Sequence, residues 1–86
     1  MLKSTRLFSA ITATQDAWVD ARIARDQALE ALRAADPDTE GFDALLDRLD
    51  QAQDKHADAL YAKNRAVAAL EEYRKEIAAE YRILFG

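Results

Sequence analysis

An 86-residue chain with no cysteine and a net charge of −4 is one small domain without disulfides or thiol chemistry. The mildly acidic balance gives no sign of a nucleic-acid-binding surface. No apolar run approaches the roughly 20 residues that span a bilayer, and a cytoplasmic protein is expected.

At the N-terminus, Lys3 and Arg6 precede Leu7, Phe8, Ala10 and Ile11. Ser9, Thr12 and Thr14 interrupt this short apolar stretch, so an ordinary helix start is expected rather than a signal peptide. A first helix is predicted over about 4–35. Leu7, Ile11, Thr14, Trp18, Ala21, Arg25, Ala28, Leu32 and Ala35 recur at alternating steps of four and three, which stack on one helical face. Two starts are open, with Ser4 as N-cap or with Thr14 as N-cap and Asp16 in the following turn.

Residues 36–41, Asp-Pro-Asp-Thr-Glu-Gly, are predicted as the turn. Pro37 disfavours helical geometry at Asp36, and Asp36, Asp38 or Thr39 is a candidate cap for the second helix. So short a connection makes the two helices antiparallel neighbours.

The second helix is predicted over about 42–84. Three columns of seven-residue spacing run along it. The first is Leu49, His56, Lys63, Leu70, Ile77 and Leu84. The second is Leu46, Gln53, Leu60, Val67, Arg74 and Tyr81, and the third is Leu45, Ala52, Ala59, Ala66 and Tyr73. The repeat resembles a coiled-coil seam, interrupted by Gln53, His56, Lys63 and Arg74. The expected fold is an all-α antiparallel hairpin with a longer second helix, completed into a four-helix bundle by dimerisation.

Folding about the turn places residue i near residue 77 minus i. Trp18 then falls opposite Ala59, Ala28 opposite Leu49, and Leu32 beside Leu45 and Leu46. The expected core is Leu7, Ile11, Trp18, Leu32, Leu46, Leu49, Leu60, Val67 and Leu70. Left over are Phe8, Val19 and Ile23 on a flank of helix 1. Ile77, Tyr81, Ile83, Leu84 and Phe85 extend past the start of helix 1, a reach of about 12 Å. Patches of this kind mark interfaces. Phe8, Val19, Ile23, Ile77, Tyr81, Leu84 and Phe85 are therefore the candidate partner or dimer interface, although Met1 and Leu2 folding back over the overhang is the simpler alternative.

Asp43, Asp47, Asp50 and Asp54 form a stripe on helix 2. It reads either as a solvated face whose first residues meet the helix N-terminal dipole or as a docking surface for a basic partner. Mimicry of nucleic acid is a lesser form of the second reading. His56 has Gln53 three residues before it, so the Glu-x-x-His pattern of a bundle metal site is missing, and no metal or cofactor is expected. There is no glycine-rich phosphate loop, and neither Ser4 nor Ser9 has a histidine near it in the hairpin. No catalytic site is expected.

Small secretion-system chaperones and phage-encoded inhibitors of host proteins include acidic helical hairpins, and no motif in this chain singles out either class. The heavy use of alanine, aspartate and arginine fits a GC-rich bacterial or phage genome. Small secreted hairpins with a Trp-x-Gly turn are not matched, because Trp18 is mid-helix. The expected role is a non-catalytic protein-binding module: adaptor, chaperone or inhibitor. It is expected to form a homodimer, with no direct nucleic-acid binding and no membrane. A structural subunit of a secretion system or phage particle is the alternative.

Overall fold

The computed structural model describes residues 2–85, and side chains as far as Leu84. The protein is an antiparallel helical hairpin of α1 (Lys3–Ala34) and α2 (Phe42–Phe85). Its extents of 70 × 19 × 14 Å are those of a rod two helices wide. The long dimension is that of α2 itself, whose 44 residues rise about 66 Å.

Helix α1 uses neither of the candidate caps. Leu2 is the N-cap, with extended backbone and no side-chain capping hydrogen bond. The helix runs unbroken through Thr14, because the Thr14 hydroxyl is already committed inside it. Oγ1 donates to the Ala10 carbonyl at 2.8 Å and lies 3.1 Å from that of Ile11. This back-bonding leaves no hydroxyl to cap a new first turn.

The turn lies where it is expected, between α1 and α2, but its caps differ from those expected. Helix α1 closes at Ala34, with Ala35 already extended and its N–H donating to Leu32. Asp36 and Pro37 then build a tight turn. The Thr39 N–H donates to the Asp36 carbonyl at 2.9 Å, and the Asp38 N–H donates to Asp36 Oδ1 at 3.0 Å. Asp at the first position and Pro at the second are the residues such a turn favours. None of Asp36, Asp38 or Thr39 caps α2 through its side chain. Gly41 stands before the helix, and its carbonyl accepts the bond from the Leu45 N–H. Gly41 holds φ +96°, a conformation that side-chain-bearing residues adopt only under strain. A Cβ there would meet nothing within 4 Å, so the cost of adding one is purely conformational. Gly41→Ala is expected to destabilise the hairpin by about 1–2 kcal/mol. A thermal melt would show this as a drop of several degrees, and an unchanged midpoint would contradict the assigned turn.

The two helices meet in the predicted register. Trp18 lies between His56, at 6.1 Å between ring centroids, and Lys63, whose Nζ is 4.2 Å from the ring centre. Ala59 sits midway between those two in sequence. At the open end, Lys3 Nζ lies 5.1 Å from the Tyr73 ring and 3.4 Å from Glu76 Oε2. That ion pair is exposed and contributes little, but it fixes the level of the pairing.

The core is thin. Among the described residues only Ala28, Ala52 and Leu70 are buried. Leu7, Ile11, Trp18, Leu32, Leu49, Leu60 and Val67 are half-buried. Leu46 does not join them, being 39% exposed. The reason is the choice of seam on α2. The half-buried and buried positions along the seam are Phe42, Leu45, Leu49, Ala52, His56, Ala59, Lys63, Ala66, Leu70 and Tyr73, with Leu60 and Val67 half-buried beside it. The alanine column therefore turns inward, because small side chains let the helices close around Trp18. The Leu46 column is rotated onto a flank.

Candidate functional site

That rotation gives the rod two unlike flanks. On one, a groove of about 600 Å³ is floored by Ala17, Ala21, Ala24, Ala52 and Ala59. Asp20, Arg48, Gln51 and Lys55 line its sides. The Lys3–Glu76 contact continues the same flank toward the open end. The groove exists because alanines fill little of the space beside the seam.

The opposite flank is built from larger residues. On α1 the column beside the seam there is Phe8, Gln15, Arg22 and Leu29. On α2 it is Leu46, Gln53, Leu60, Val67 and Arg74. The register sets Phe8 level with Val67, Gln15 with Leu60, Arg22 with Gln53, and Leu29 with Leu46. Val19 sits one column further out. Phe8 is 52% exposed and Leu46 is exposed, while Leu29, Leu60, Val67 and Val19 are half-buried. The result is an apolar strip along the hairpin, interrupted by Arg22 and Gln53 near its middle, by Gln15 beside Leu60 and by Arg74 toward the open end.

The candidate interface residues thus separate into three places. Phe8 and Val19 belong to this apolar flank. Ile23 lies on the outer side of α1, away from the seam, and is 48% exposed. Ile77 and Leu84 carry the seam column past the start of α1, and Tyr81 carries the flank column past it; all three are exposed. The Phe85 side chain lies outside the described residues. Leu46, Leu60 and Val67 are expected in the core and stand on this flank instead, joined by Leu29. Their seven-residue spacing was visible, but which of two adjacent columns faces inward depends on how closely the helices approach.

The polar candidates are dispersed. Asp43, Asp47, Asp50 and Asp54 are all exposed and fall on two adjacent columns of α2 rather than around a pocket. His56 packs beside Trp18 in the seam. Arg22 lies 5.5 Å from the same indole, so three basic side chains surround one ring. Trp18 Nε1 is buried and has no hydrogen-bond partner. Among the described residues, no three side chains gather to hold a metal ion. No helix is long and apolar enough to cross a membrane.

The accessible area makes the openness quantitative. The chain exposes 6662 Å² at a mass of 9.6 kDa. A compact protein of that mass exposes about 5,100 Å². The excess of roughly 1,600 Å² per chain compares with about 800 Å² per partner in a standard interface. No protein-family model, curated protein or solved structure matches this chain.

Proposed function

We propose that this chain is a small, non-catalytic protein-binding module that acts through its apolar helix faces. Its first partner is a second copy of itself, which completes the hairpin into a four-helix bundle. Adaptors, chaperones and inhibitors of other proteins work in this way. The observation that carries the reading is the excess exposed area of a rod that keeps an apolar flank of Phe8, Leu29, Leu46 and Val67 beside its seam. A two-helix rod buries each helix on one side only, and three buried residues supply little of the stability a domain needs. Covering the apolar flank supplies the missing half of a core.

The test is a paired substitution, Phe8→Asp with Val67→Asp. Both side chains lie on the flank and neither is in the buried core. The wild type is expected to sediment at about 19 kDa, twice the chain mass. The double variant is expected to sediment as a monomer with reduced helicity by circular dichroism. A variant that keeps the wild-type dimer mass would move the interface elsewhere. A mass that grows without limit with concentration would favour an assembly subunit over a closed module.

A further inference from the structure

Resting on that reading, we infer that the second copy packs across the apolar flank antiparallel to the first. The acidic turn of each copy then lies beside the open end of the other. Three observations carry this orientation.

The first is area. The excess of roughly 1,600 Å² per chain falls within what an obligate dimer buries per partner, and the flank of Phe8, Leu29, Leu46, Leu60 and Val67 is an apolar face along the hairpin against which a second copy can pack.

The second is charge. Residues 36–58 hold eight carboxylates against Arg48 and Lys55, a net of −6. Residues 19–35, beside them in the hairpin, hold three of each sign. With −4 for the whole chain, the open half of the rod therefore carries +2. Side by side in the same direction, two such rods set their −6 halves against each other. Reversed, each acidic half lies along the other's basic half, and like-charge juxtaposition is relieved.

The third is layer matching. A two-fold axis at the middle of the hairpin, level with Trp18 and Ala59, exchanges the two ends of the strip. Leu29 of one copy then lies level with Phe8 of the other, apolar against apolar, and Leu46 falls about 7 Å beyond the level of the partner's Val67. Arg22 lies level with the partner's Gln15, and Leu60, beside the axis, lies level with its own counterpart. In the parallel arrangement Arg22 would face the partner's own Arg22. The same axis brings Arg74, on the flank column, level with the partner's Asp43.

The absence of cysteine allows a direct test. Thr39→Cys places one spin label in each exposed turn. The antiparallel dimer sets the two turns about 60 Å apart, since each lies some 20 residues from the axis. Pulsed dipolar spectroscopy is expected to read that long distance. A distance under about 25 Å would show neighbouring turns, at the lateral spacing of packed helices, and would overturn the orientation while leaving the dimer intact. A monomeric mass for the labelled protein and the wild type would overturn the dimer and the orientation together. As a second arm, Arg74→Glu is expected to weaken dimerisation several-fold, and Asp43→Arg added to it to restore the affinity. Failure of that rescue, with both variants folded, would also contradict the antiparallel register.

Discussion

Replacing Trp18 by alanine is expected to lower the thermal midpoint by more than about 10 °C. The ring packs on His56 and carries the Lys63 ammonium 4.2 Å from its centre, with Arg22 over it as well. Burying a side chain of this size is worth roughly 2–3 kcal/mol, and a cation over an indole about another 0.5–1 kcal/mol. A chain of this length has only a few kcal/mol to lose. For a domain of this size, each kcal/mol moves the midpoint about 4–8 °C. Trp18→Phe separates the contributions. It keeps an aromatic face beneath Lys63 and removes the buried Nε1–H that has no acceptor. An unpartnered buried donor carries a penalty of about 1–3 kcal/mol, which offsets the smaller ring, so this variant is expected within about 1 kcal/mol of wild type. An alanine variant melting within 3 °C or so of wild type would remove Trp18 from the centre of the fold.

The second large effect is a dependence of stability on protein concentration. If folding and association are one event, each tenfold dilution costs about 1.4 kcal/mol per dimer. Spread over two chains of 86 residues, that is a fall in midpoint of roughly 3–6 °C per decade. The Phe8→Asp, Val67→Asp variant is expected to lose this dependence and to unfold at a lower, constant temperature. A wild-type midpoint that does not move over a thousandfold range of concentration would mean that the hairpin folds alone.

Much of this architecture is legible in the residues. The alternation of threes and fours along α1, the proline in the only break and the long column from Leu49 to Leu84 dictate two antiparallel helices of unequal length. The register follows from the turn, and Trp18 between His56 and Lys63 stands where that register puts it. What the pattern leaves open is rotation about the axis of α2. Leu46, Leu60 and Val67 form as good an apolar column as Leu45, Ala52 and Ala59. Hydrophobicity alone favours the bulkier set, and so Leu46 reads as core. Close approach favours the smaller set, since alanines admit the indole and let the backbones meet. The same choice creates both flanks of the rod, the alanine-floored groove and the apolar strip. The caps were harder to read for a local reason. Thr14 and Asp36 each had a competing partner, an Ala10 carbonyl within the helix and an Asp38 N–H within the turn. At the start of α2 the Phe42 N–H is met by a backbone carbonyl, that of Thr39, with Gly41 at positive φ between them.

The central claim is that this hairpin is half of a core. Light scattering coupled to size exclusion, run on the unmodified chain at micromolar concentration and again a hundredfold higher, tests it most directly. A constant mass near 19 kDa, or a monomer converting to that mass and stopping there, is the predicted result. A mass fixed at 9.6 kDa across the range, with full helicity, would contradict it.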